Sequence, residues 1–144
     1  MKNILVAVDF SSLTPKLIEE AKKLAAKFDS KIWLVHIASP DPDFVGYDVG
    51  PQYIRDSRAS TLRTEHRDLQ QYAQAIEQAG FDVEPLLIQG QTAATIVEEA
   101  GKLVADLIVM GAEDHGKIFE KMFGSVWEDV VHKAKVPVLI VPGN

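Results

Sequence analysis

The 144-residue chain has no cysteine, which excludes disulfides, thiolate metal sites and thiol catalysis. It has no basic run either. Lys and Arg number 15 against 21 Asp and Glu, and this excess of negative charge repels a phosphate backbone, so an extended nucleic-acid surface is disfavoured. No apolar segment approaches membrane-spanning length. The amino-terminal MKNILVAVDF is too short in its apolar run, and too soon interrupted by Asp9, to act as a signal peptide. A cytoplasmic protein with no membrane or nucleic-acid partner is expected. Linkers, low-complexity tracts and tandem repeats are also missing, and 47% of the residues are hydrophobic. Residues 1–144 are therefore expected to form one domain around one core.

Signature loops of several enzyme classes are absent as well. There is no G-x-S-x-G elbow, no Walker loop and no G-x-G-x-x-G, and no pair of histidines has metal-ligand spacing. Hydrolase chemistry and a protein-held metal find no support. Among the four histidines, His36 lies inside an apolar run and reads as a satisfied core residue. His66 reads as a surface or stripe residue within a helix, and His132 complements a helix carboxyl end. Only His115 falls in a loop suited to a site.

What the chain does have is five short apolar, β-branched runs: Ile4 to Val8, Ile32 to Ile37, Val83 to Ile88, Leu107 to Met110 and Val136 to Val141. Continuous apolar runs, rather than alternation, mark strands covered on both faces. Segments of helical period lie between them. Leu17, Ile18, Ala21, Leu24, Ala25 and Phe28 share one stripe, with Thr14 as the expected N-cap and Pro15 at the first helical position. A second helix is expected from about Tyr53 to Ala79, closed by Gly80, a third from about Thr92, and a fourth after Ser125. Alternating strands and helices imply an open α/β parallel sheet with helices on both faces. Ligands of such sheets bind at the carboxyl ends of the strands.

Those ends hold the site candidates. Gly111 ends the fourth run, where a missing side chain lets a ligand approach the backbone. Thirteen residues on, Gly124 precedes Ser125-Val126-Trp127-Glu128, the S-x-x-E pattern of a capping box, so free N–H groups and a positive dipole end stand beside it. Two readings fit: a phosphate-binding turn, or a serine that only caps its own helix after a glycine that only turns the chain. Asp9, just past the first run, either meets a ligand hydroxyl or orders its own turn. The proline-, glycine- and aspartate-rich HIASPDPDFVGYDVGP is either a lid or a surface excursion.

Taken together, the strand pattern, VAVDFS at the first turn and the glycine-to-GSV stretch make the sequence resemble the universal stress protein family along essentially its whole length. The resemblance implies a Rossmann-like sheet of five parallel strands in the order 3-2-1-4-5. The nucleotide-binding branch of that family carries G-x2-G-x9-G-[ST] after strand four. Gly111 matches its first glycine, and Gly124 with Ser125 its last pair. Asp114 stands where the middle glycine belongs, and its charge opposes a triphosphate unless it points to solvent or a divalent cation intervenes. Gly116, two residues later, matches relatives with a longer spacing. By position, Ala7 and Asp9 would border the nucleoside, Ile37 would pack on adenine, and Met110 with Gly111 would lie against base and ribose. Gly124, Ser125 and Val126 would meet phosphate, with Asp114, His115 and Gly116 in the same loop. The resemblance thus implies an adenine nucleotide, AMP or ATP, the latter with magnesium or manganese, bound by a stress-response sensor or regulator. Catalysis would be at most slow ATP hydrolysis, since no residue is named to activate water. A non-binding dimeric interaction module is the alternative. An ATP pyrophosphatase-like enzyme ranks last, because its first turn should be glycine- and serine-rich where this chain has VDFSSLTP. A homodimer through the final KVPVLIVPGN is implied by the family's habit of pairing that strand.

Overall fold

Among the described residues the five apolar runs form five parallel strands, and the helical segments between them form four helices. The computed structural model describes residues 1–39, 52–112 and 125–143, apart from the side chains of residues 52–58. The elements run β1 (Asn3–Ala7), α1 (Thr14–Phe28), β2 (Lys31–Ala38), α2 (Gln52–Gln78), β3 (Val83–Gln89), α3 (Thr92–Lys102), β4 (Leu107–Gly111), α4 (Val126–Lys133) and β5 (Val138–Val141). The strand order is β3-β2-β1-β4-β5, as the resemblance implies.

Strand alternation divides the core into two layers. Ile4, Val6, Val8, Ile32 and Leu34 pack with Leu17, Ile18 and Ala21 of α1 and Leu69, Ala73 and Ile76 of α2. On the other face Leu5, Val35, Ile37, Ile108 and Met110 pack with Ala93, Ile96 and Ala100 of α3 and Val130 of α4. Each fully buried Leu or Ile contributes about 1.5–3 kcal/mol, and β1 supplies such residues to both layers.

Most element boundaries shift by one residue from expectation, and two of the differences have a visible cause. Leu13, not Thr14, occupies the N-cap position of α1, and Thr14 and Pro15 lie within the helix. The reason lies upstream: Ser11 Oγ accepts from Leu13 N at 3.2 Å and Ser11 O accepts from Thr14 N at 3.0 Å, so the turn itself satisfies these donors. β5 begins at Val138 rather than Val136. Pro137 has no N–H to donate, and only its carbonyl joins the sheet, accepting from Ile108 N at 3.0 Å. Gly80 behaves as expected at the end of α2, with φ 96° and its N–H bonded to Glu77 O.

At the amino edge of the sheet, Asp106 Oδ2 accepts from Lys2 N at 2.7 Å and Asn3 N at 3.0 Å, tying the start of β1 to the turn before β4. These two backbone donors, with smaller help from the positive amino terminus, hold the carboxyl below the usual carboxylate range. A depressed folded value means that this contribution is present above the unfolded carboxyl's titration and is lost as pH falls through the folded one. Asp106→Asn is therefore expected to lower the melting temperature at pH 7. The difference from the natural protein should shrink as pH falls below the usual carboxylate range and the native carboxyl also takes up its proton. Calorimetric melting across pH checks this, and a constant difference over the range would refute it.

Candidate functional site

α1, which follows β1, packs on one face of the sheet and α4, which follows β4, packs on the other, so the carboxyl ends of β1, β2 and β4 lie between the starts of the two helices. A cavity of about 280 Å³ occupies this place. Its floor is apolar: Ala7 ends β1, Ile37 is near the end of β2, and Met110 and Gly111 end β4. Ile37 and Met110 are buried in the α3/α4 layer, which fixes their side chains by packing. Asp9, Ser11 and Leu13 of the β1–α1 turn form one wall. Ser125, Val126 and Trp127, where α4 begins, form another, and Thr92 and Ile96 of α3 close a third.

Seven residues predicted from sequence meet in this cavity: Ala7, Asp9, Ile37, Met110, Gly111, Ser125 and Val126. Asp114, His115, Gly116 and Gly124 lie outside the described residues, as does most of the HIASPDPDFVGYDVGP stretch. Asp9 takes the turn-ordering role, Oδ1 accepting from Ser11 N at 3.0 Å, yet it stays exposed on the cavity rim. Ser125 caps α4: its Oγ accepts from Glu128 N at 3.4 Å and donates to Glu128 Oε1 at 2.9 Å. In this variant of the capping box the glutamate accepts the serine hydroxyl. The first N–H groups of a helix have no acceptor within it by geometry; here Ser125 Oγ meets that of Glu128, and Val126 and Trp127, the first two helical residues, line the cavity.

Gly111 is favoured by packing as well as by position. A Cβ there would collide with Leu13 Cδ2, so the volume that a side chain would take is already filled by the start of α1. A Cβ at Gly90, before α3, would likewise meet Thr95 Oγ1, so a side chain there would have to displace the Thr95 hydroxyl.

One expectation is corrected. His115 is not the only histidine suited to a site, because His36 also lines the cavity. It is satisfied, as a core residue should be: Nδ1 lies 2.8 Å from Val8 O and Nε2 lies 3.1 Å from Glu65 Oε2. The Phe10 ring lies against it, with centroids 4.4 Å apart. His36 is next to Ile37 at the carboxyl end of a strand beside β1, and that position was the available sequence signal. Leu13, Thr92, Ile96 and Trp127 carried no comparable signal, because their places depend on how helices lean over the sheet. Among the described residues no group of three or more His, Asp or Glu side chains is placed to hold a metal ion. No helix among them is long and apolar enough to cross a membrane.

Comparison with known proteins agrees with this geometry. The model of the universal stress protein family matches residues 1–142. A universal stress protein from Thermus aquaticus, in the QAH/OAS sulfhydrylase 3′ region, is 33% identical over 143 residues, covering 97% of this chain and 98% of its own. Among solved structures, a universal stress protein in complex with cAMP superposes with a TM-score of 0.74 at 22% identity, over 98% of this chain and 96% of its own. The universal stress protein from Archaeoglobus fulgidus in complex with dAMP does so with a TM-score of 0.69 at 22% identity, over 97% of both chains. Those two likenesses establish the fold, and the match along nearly the whole sequence establishes more: the chain belongs to the universal stress protein family.

Proposed function

We propose that the cavity at the carboxyl edge binds an adenine nucleotide and that the protein serves as a stress-response sensor or regulator rather than an efficient enzyme. One observation carries this reading: an apolar floor of Ala7, Ile37 and Met110 lies in the same cavity as the amino end of α4. A planar base gains from the apolar floor, and a phosphate gains from N–H donors at a helix start. The cAMP and dAMP complexes of family members with this fold support the same ligand class. Magnesium or manganese would enter with the phosphates of ATP. His36 has both ring nitrogens engaged and Asp9 orders its own turn, which supports binding over water activation. The Ser125 hydroxyl bond to Glu128 favours the alternative, a dimeric interaction module that binds no nucleotide. For the nucleotide reading, phosphate must then be met chiefly by backbone N–H groups of residues 124–126.

Gly124 precedes Ser125 in the chain, and a side chain there would crowd that approach. Gly124→Val is expected to weaken AMP binding by about tenfold or more, as the loss of one or two charge-assisted hydrogen bonds would. Unchanged affinity by titration calorimetry in a folded variant would remove phosphate from this position.

Asp114 replaces the family's middle glycine, so its charge should tell against each added phosphate. Asp114→Gly is expected to raise ATP affinity more than AMP affinity. Equal gains for both ligands would rule out the electrostatic cause.

A homodimer through β5 completes the proposal. β5 lies at the sheet edge. Pro137 O and Val141 O accept from β4 and its following residue, so residues 137, 139 and 141 direct their backbone groups inward. Val138 and Ile140 direct theirs outward, and a two-fold axis would pair them with a second copy. Ile140→Pro removes an outward donor without touching the β4 ladder. Light scattering should show a dimer for the natural protein and a mass near the single-chain 15.9 kDa for Ile140→Pro. A natural protein already at that mass would sink the dimer.

A further inference from the structure

We propose that a proton held between His36 and Glu65 latches the β1–α1 turn against the sheet and so makes nucleotide affinity fall as pH rises. The second half rests on the nucleotide reading of the cavity; the latch itself does not.

The Val8 carbonyl can only accept, so the 2.8 Å contact requires hydrogen on His36 Nδ1. Nε2 faces Glu65 Oε2 at 3.1 Å. That second contact also needs a proton, carried either by the imidazole, making it cationic, or by the carboxyl. Remove this proton and one bond fails whichever tautomer remains. With hydrogen on Nδ1, the Nε2 lone pair meets a carboxylate; with hydrogen on Nε2, the Nδ1 lone pair meets a carbonyl. Both bonds persist only while the pair keeps its shared proton.

The turn is built onto this pair. Phe10 has φ 62°, a conformation that side-chain-bearing residues rarely adopt, so surrounding contacts must hold it. Those contacts are the His36 ring at 4.4 Å and the Tyr72 ring, stacked at 6.3 Å. Val8, which accepts the His36 bond, and Asp9 and Ser11, which flank Phe10, all line the cavity. Loosening His36 therefore loosens one wall. Among the described titratable groups, Glu65 of α2 meets the imidazole directly, Tyr72 of α2 stacks on the Phe10 ring beside it, and Asp9 of the turn lines the same cavity. α1 presents Leu13 and Leu17 to the cavity, and β3 sets Leu87 beside His36 in register.

Glu65→Gln separates the latch from its proton, because the new amide can donate to Nε2 of a neutral imidazole and keep both bonds at any pH. Nuclear magnetic resonance and calorimetry with AMP and ATP, from pH 5.5 to 8.5, compare this variant with the natural protein. In the natural protein the Phe10 and Ser11 amide signals should track the His36 imidazole. Its affinity relative to the variant should fall about tenfold across the range, the effect of losing one hydrogen bond to a charged group. Ionisation of the ligands' own phosphates cancels in that ratio. In Glu65→Gln the Phe10 and Ser11 signals should stay in place. A His36 that titrates while Phe10 and Ser11 stay still in the natural protein would overturn the latch. Moving signals with a flat affinity ratio would overturn its control of the site. If neither nucleotide binds either protein at any pH, the nucleotide reading falls, and the amide signals alone decide the latch.

Discussion

β1 is paired along both edges, to β2 from Asn3 to Ala7 and to β4 from Ile4 to Val6, and its side chains are buried in both layers. A strand placed this way has no free edge and no solvent face, so it must be short and apolar, as NILVA is. The chain then leaves it toward α1 on one face, while α3 and α4 cover the other. The opening at the carboxyl ends of β1 and β4 follows from strand order alone, before any residue is chosen for binding.

What the chosen residues add is shape. Leu13 occupies the space that a side chain at position 111 would need, so the end of β4 and the start of α1 are packed as one unit. A substitution at Gly111 would push on Leu13, and through Leu13 on Ser11, whose hydroxyl accepts from Leu13 N. Asp9 would move in turn, because it accepts from Ser11 N. The glycine therefore sets the geometry of the opposite wall as well as the reach of a ligand. A glycine at a strand end has two physical explanations, and here packing demonstrably supplies one of them.

The fold was legible because buried parallel strands leave uninterrupted apolar runs and helices leave period-3.6 stripes, and both were present without ambiguity. The end of the fourth run named Gly111 for the same reason, whereas Ala7, Ile37 and Met110 were named only through the family resemblance. Where the reading failed, the missing information was local competition or long-range contact. Thr14 looked like a cap, but Ser11, three residues earlier, accepts from Leu13 N and Thr14 N, and the helix then starts with Thr14 inside it. His36 looked like core and is core, yet its partner Glu65 lies 29 residues away, and nothing in either neighbourhood announces the pair. Thr92, Ile96 and Trp127 reach the cavity through the tilt of α3 and α4 over the sheet, which periodicity does not encode.

Charge sets the remaining constraint on any phosphate that enters. The chain carries a formal net charge of −6, and Glu128 stands one turn into the helix whose start forms a cavity wall. At physiological salt the field of the distant carboxylates is screened within about 8 Å, so most of that charge is felt weakly inside the cavity. Glu128 is closer, but it accepts the Ser125 hydroxyl and the Glu128 N–H meets Ser125 Oγ, so capping partly absorbs its carboxylate. Against this, each backbone N–H aimed at an anion contributes about 1.5–3 kcal/mol at contact distance. Two or three such donors outweigh a screened, exposed carboxylate pair worth about 1 kcal/mol or less. An acidic protein can therefore hold an anionic ligand through short-range donors alone, with the apolar floor adding affinity that salt does not screen.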